Sequence, residues 1–249
     1  MNKRIIPILL LKDGALVKGE KYKDFRYLGD PINAIKIFND KEVDEIFFLD
    51  ISANKTNRPI SIELVEQLSE ECYMPFGVGG GITNVEEVRQ ILRSGAEKVT
   101  INTSSITSKE IIKEISQEFG SQSLVVSVDV VKNWFGKKKL CYFNGSKTLS
   151  VDILSWVKEI ESLGAGEIIL NSVYNDGMMT GYDLDFIDSV STSVNIPVIA
   201  SCGAGKLEHI YDLFSQTNAS AAACGSLFVF HGPRKAILIN YPNREEVMG

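Results

Sequence analysis

The chain has 249 residues, 44% of them hydrophobic and 23% charged, proportions that exclude a disordered or fibrous protein. A net charge of −6 argues against a nucleic-acid partner held by phosphate contacts, yet leaves room for phosphorylated metabolites bound through backbone N–H groups. Four scattered cysteines (Cys72, Cys141, Cys202, Cys224) form no CxxC pair, and His209 and His231 are the only histidines, so neither a metal nor a cofactor is expected.

The first element is the apolar run at residues 5–11. It ends at Lys12-Asp13 with no small-residue cleavage site, and reads as a buried strand rather than a signal core. Further strand-length apolar runs follow at 46–50, 76–78, 98–102, 124–129, 167–171, 198–201 and 220–224. Most are nearly continuous in aliphatic residues, as parallel strands covered on both faces should be. Segments with helical periodicity lie between them, such as 85–92 and 153–163. No stretch is apolar for long enough to span a bilayer, so the expectation is a cytoplasmic protein with no membrane contact.

An internal repeat selects a closed architecture. Pro75-Phe-Gly-Val-Gly-Gly-Gly81 resembles Pro197-Val-Ile-Ala-Ser-Cys-Gly203, 122 residues later, and Glu45 and Glu167 open the preceding strands at the same offset. Each half alone would leave open sheet edges, which joining removes. The expected fold is therefore α/β: a single (β/α)8 TIM barrel over residues 1–249, built from half-barrel repeats of about 1–120 and 121–249.

Ligands of such barrels sit at the C-terminal strand ends. The glycines of the two turns, Gly80, Gly81 and Gly203, let backbone N–H groups approach an anion closely. Asn102-Thr103 and Gly225-Ser226 add donors after the next strands, giving two expected phosphate cradles on opposite sides of one mouth.

In order along the chain, Lys3-Arg4-Ile5-Ile6, Lys12-Asp13-Gly14, Val17-Lys18-Gly19, Gly29-Asp30-Pro31, Phe48-Leu49-Asp50-Ile51, Val78-Gly-Gly-Gly-Ile82, Ile101-Asn102, Gly164-Ala-Gly-Glu167, Asp176-Gly177, Gly181-Tyr-Asp183 and Ile199-Ala-Ser201 resemble one family. It is the cyclase subunit of imidazole glycerol phosphate synthase, a histidine-pathway barrel, and the resemblance runs from residue 3 to about residue 230. It implies a lyase-type cyclase in a glutamine amidotransferase complex. A glutaminase subunit docks at the N-terminal barrel face, and its ammonia crosses the interior to a substrate bearing two phosphates.

The resemblance also assigns residues. Asp129 takes the place of the family's strand-five aspartate, with Lys18, Asp50 and Asp176 around it, while Arg4, Glu45, Lys98 and Glu167 match the charged ring that gates ammonia. One group is missing. Where the family reads Leu-Asp-Val-Lys-Asp-Gly, this chain reads Leu9-Leu10-Leu11-Lys12-Asp13-Gly14, and leucine can neither give nor take a proton. Cys202 stands where the family usually has glycine, and the segment from His231 to Asn243 does not read like the family's charged amphipathic ending. The expectation is a paralogue that handles ammonia for an altered acceptor. Amidation in surface-polysaccharide synthesis, with a third synthetase subunit, is one such system that the resemblance suggests. An authentic cyclase and a non-catalytic scaffold that activates a glutaminase are the alternatives.

Overall fold

The structure, a computed structural model, describes residues 3–53 and 58–242. Strand β1 (Arg4–Lys12) leads into a hairpin of β2 (Ala15–Glu20) and β3 (Lys23–Gly29), followed by β4 (Ile46–Asp50), β5 (Phe76–Gly79) and β6 (Lys98–Ile101). The second half has the same order: β7 (Leu124–Lys132) carries a hairpin of β8 (Lys138–Tyr142) and β9 (Lys147–Leu149), followed by β10 (Glu167–Ser172), β11 (Val198–Ser201) and β12 (Ala221–Cys224). Strands β1, β4, β5, β6, β7, β10, β11 and β12 pair in that order, all parallel, and β12 pairs back onto β1. This is the expected eight-stranded barrel. The expected strand spans are met within a residue or so, except that β7 runs three residues beyond Asp129 to feed its hairpin.

Helices separate the barrel strands, and their starts are written in side chains. Asp30 accepts from the Ile32 and Asn33 amides ahead of Pro31–Asp40, Ser61 from Leu64, Asn84 from Glu87, and Asp152 from Ser155. Each cap satisfies an orphan amide and is worth about 1 kcal/mol. No helix among the described residues is long and apolar enough to cross a membrane.

Two apolar layers result. One lies between sheet and helices, with Phe38, Phe48, Val126, Ile168 and Leu213 fully buried. The other fills the barrel itself with Ile6, Ile8, Phe47, Val125, Ile169, Ile199, Ala221 and Ala223. Gly77 is required there, because a Cβ on it would lie 2.3 Å from the Phe47 ring.

The chain ends unlike its other β/α units. Ser226–Val229 is a single helical turn, and the chain then forms a short hairpin, β13 (Phe230–His231) with β14 (Ala236–Ile237). Tyr241 follows, packed against Phe38 and Phe228 with ring centroids 6.4 and 4.9 Å away. Its hydroxyl donates to the Ile5 carbonyl at 3.1 Å.

Candidate active site and charged ring

Strand alternation decides which side chains meet inside the barrel. On β7, Val125, Ser127 and Asp129 share the inward face, with Asp129 nearest the mouth and beside Asn171 of β10. Asp129 is 6% exposed and hydrogen-bonded on both oxygens: Oδ1 accepts from Ser127 Oγ (2.8 Å) and Asn171 Nδ2 (2.8 Å), and Oδ2 from the Tyr22 hydroxyl (3.2 Å). Burial raises its pKa above the ordinary carboxylate value, against the opposing pull of the three donors. A carboxyl pushed upward in this way is suited to exchanging a proton.

Tyr22 reaches Asp129 from the turn between β2 and β3, which folds over the mouth. Lys21 and Tyr22 both have left-handed backbone, with φ of 49° and 62°. The turn is held by Asp176, whose carbonyl accepts from the Lys21 amide (3.0 Å) and whose Oδ2 accepts from the Tyr22 amide (3.3 Å). The other Asp176 oxygen pairs with Lys18 at 2.6 Å, both side chains being 7% exposed. Burial also pushes the Tyr22 phenol well above its usual range, so it acts as a hydrogen-bond donor.

Leu10 sits on β1 between Leu49 of β4 and Val17 of β2. It is 8% exposed and lines the same cavity as Lys18, Tyr22, Asn171 and Asp176, about 40 Å³ in volume. Where the resemblance implies a carboxylate, this cavity has the isobutyl wall of Leu10. Cys202 lines it too, with backbone at φ 73°, a conformation that favours the family's glycine. Its Sγ lies 3.8 Å from Asn171 Oδ1 and 3.9 Å from Asp176 Oδ1, and burial pushes the thiol well above its usual range.

The remaining expected residues divide. Asp50, at the end of β4, turns back on its own loop, where Oδ1 accepts from the Ser52 amide (2.8 Å) and hydroxyl (2.5 Å); it does not line the cavity. Gly203, Gly225 and Ser226 do line it; Gly80, Gly81, Asn102 and Thr103 do not. Tyr22 and Asn171 belong to the site although the sequence does not mark them as site residues. Asn171, two positions past Ile169 on the inward face, could have been found from alternation; Tyr22 depends on the fold of a turn.

At the opposite end the four ring residues meet. Arg4 pairs with Glu45 (2.5 Å) and Glu167 (3.0 Å), and Lys98 pairs with Glu45 (2.6 Å) and Glu167 (3.1 Å), so each charge touches two of the opposite sign. The ring spans β1, β6 and β10 and the residue before β4, and it closes the barrel floor beneath the apolar lining.

The profile of a family described as histidine biosynthesis protein matches residues 4–233. The chain is 45% identical to a Pseudomonas aeruginosa protein over 98% of its own length and 97% of the relative's; that protein is provisionally named imidazole glycerol phosphate synthase subunit hisF2. A Vibrio vulnificus protein, provisionally hisF3, is 44% identical over 99% and 95%. The imidazole glycerol phosphate synthase subunit HisF of Pyrococcus furiosus is 46% identical over 92% and 90%. The match begins at the ring's Arg4 and runs past the last barrel strand, so it takes in the floor, the lining and the mouth alike: the chain belongs to the histidine-biosynthesis barrel family, with the HisF subunits of imidazole glycerol phosphate synthase.

Proposed function

We propose that this chain is the ammonia-channelling and ammonia-using subunit of a glutamine amidotransferase assembly, acting on a phosphorylated acceptor other than the cyclase substrate. A glutaminase subunit would dock on the N-terminal face, beneath the ring of Arg4, Glu45, Lys98 and Glu167. Ammonia would pass the largely apolar interior and emerge beside Asp129.

The observation that carries an altered acceptor is Leu10. It occupies the mouth position of the missing carboxylate, walled by Leu49 and Val17, and loss of a proton-transfer group typically costs about 10² to 10⁴ in rate. The Tyr22 hydroxyl, which lines the same cavity, is spent on Asp129. A second reading, an authentic cyclase, draws on Lys18 and Asp176, which line the cavity, and on Asp129, which lies outside its lining and is joined to it through Tyr22 and Asn171.

The test is to supply the family's bis-phosphorylated aminoimidazole substrate with excess ammonium at alkaline pH, which bypasses the glutaminase. We expect no turnover by the wild type and partial recovery in Leu10→Asp. Wild-type turnover near an ordinary enzyme's rate, about 10 s⁻¹, would replace this reading with the cyclase. Activation of a glutaminase with no product formed on the chain from any acceptor would point to a scaffold.

A further inference from the structure

Strand β7 runs past Asp129 to Lys132, beyond the rim of the barrel, and returns as β8 through the turn 133–137. At the tip of that turn Trp134 is 97% exposed and Phe135 is 90% exposed. Two adjacent bare aromatic rings are unfavourable in water and mark a surface that something covers. The turn is not loose. Asn133 Oδ1 accepts from the Phe135 amide (3.0 Å) and the Lys137 amide (2.8 Å), and the Gly136 amide donates to the Asn133 carbonyl (2.9 Å). At the base, Lys132 and Lys138 both pair with Asp183, at 3.3 and 3.1 Å. They also lie over the Tyr174 and Phe186 rings, 4.0 and 4.2 Å from the centroids. The fold therefore holds both rings in a fixed place, which lowers the entropy lost when they bind.

Charge and size say what covers them. Residues 130–151 contain five lysines and no acid, in a chain whose net charge is −6. Lys132 and Lys138 are taken by Asp183, while Lys137 and Lys139 make no salt bridge among the described residues. The covering surface is therefore anionic. Trp and Phe bury about 150–250 Å² each, so the tip offers about 400 Å². That is half of the roughly 800 Å² that a stable protein interface takes from each partner. It suits a lipid headgroup layer, where aromatic rings settle and lysines reach back to the charged surface.

We infer that the Trp134–Phe135 tip docks this chain on an anionic lipid surface, with the rings among the headgroups and Lys137 and Lys139 against the lipid phosphates. Such docking needs no spanning helix, the kind of membrane contact that the described helices exclude. A strand rises about 3.3 Å per residue, so Trp134 lies within about 17 Å of Asp129 and the docked chain holds its mouth beside the bilayer. The inference goes beyond the ammonia-using reading and does not depend on it.

The experiment mixes the full-length chain with phosphatidylcholine vesicles, with and without phosphatidylglycerol, and reads cosedimentation and tryptophan emission. Trp134 and Trp156 are the only tryptophans, and Trp156 is 3% exposed, so a shift of emission to shorter wavelength reports on Trp134. We expect binding to the anionic vesicles, weakened by salt, together with that shift. Lys137→Gln and Lys139→Gln should each weaken binding about fivefold, the value of one lysine near an anionic membrane. Replacing both rings, Trp134→Ser with Phe135→Ser, should weaken it at least about tenfold. All four side chains lie at the surface, so the variants should keep the wild-type melting temperature. Equal binding to neutral vesicles, or unchanged binding when both rings are replaced, would overturn the inference. Absence of binding to either kind of vesicle would also overturn it, and would assign the tip to a protein partner. None of these results bears on the turnover assay of Leu10→Asp, so failure here and failure of the ammonia-using reading are distinguishable.

Discussion

Asp129 shows how a single residue trades stability for chemistry. Its native pKa lies above the value of 3.8 that it has when exposed, chiefly because burial penalises the charged form. Between those two values the folded chain binds more protons than the unfolded one, so the slope of stability with pH is negative for this group. Its contribution is fully present below the unfolded value and is lost as pH rises through the native one. Asp129→Asn should abolish that loss. Asn keeps an acceptor for Ser127 and Asn171, while the Tyr22 hydroxyl can turn to accept. Thermal unfolding at pH 7 should show the variant more stable by about 2 °C or more, with the difference shrinking toward pH 4. An equal or lower melting temperature at pH 7 would mean that the hydrogen bonds outweigh burial. At this scale the sequence is legible where a residue lies on a strand that the resemblance matches: it puts Asp129 and Leu10 at the mouth from the sequence alone. Tyr22 is not legible, because nothing local to Lys21-Tyr22 says that their turn will fold across the barrel onto Asp129.

Elements show the same division. The parallel strands are readable because each is an uninterrupted apolar run of the right length, and the helices because caps such as Asp30 and Asn84 precede their periodic faces. The antiparallel hairpins β2–β3 and β8–β9 escape such a reading. β3 is mostly exposed and β9 is three residues long, so neither has an apolar pattern to announce it. The C-terminal segment is visible only as a departure from family pattern; its packing is new information. Lys235 pairs with Glu20 of the first hairpin, and Arg26 donates to the Lys235 carbonyl at 3.0 Å, which ties β13–β14 to the turn over the mouth. Tyr241 then seals the gap between Phe38 and Phe228. Tyr241→Ala should cost about 3–5 kcal/mol, the range for emptying a buried aromatic site. Tyr241→Phe should cost about 1 kcal/mol, the value of the bond to Ile5. Denaturant melts of both variants separate packing from hydrogen bonding. Equal losses would show that the hydroxyl, not the ring, holds the segment.

At the scale of the whole molecule the barrel has two dissimilar ends, and the floor is where electrostatics can be tested without knowing any substrate. The ring holds two cations and two carboxylates, with Glu45 at 4% and Glu167 at 12% side-chain exposure. Because each Glu bridges both cations, neutralising one leaves Arg4 and Lys98 sharing the other. Breaking a buried pair from one side typically costs about 3–5 kcal/mol. Arg4 at 24% and Lys98 at 18% exposure still reach water, which places Glu45→Gln at the lower end, about 3 kcal/mol. The control is the pair of Lys109 and Glu159, each 43% exposed, where Glu159→Gln should cost about 1 kcal/mol or less and lose even that in high salt. Replacing all four ring residues by apolar ones of similar volume should cost less than Glu45→Gln alone, since no charge is then stranded. A ring kept for stability would show the opposite order, with the fourfold variant worst. If the apolar floor is the more stable one, the charges are retained for what passes between them, and ammonia is the small polar molecule that the proposed assembly would send through.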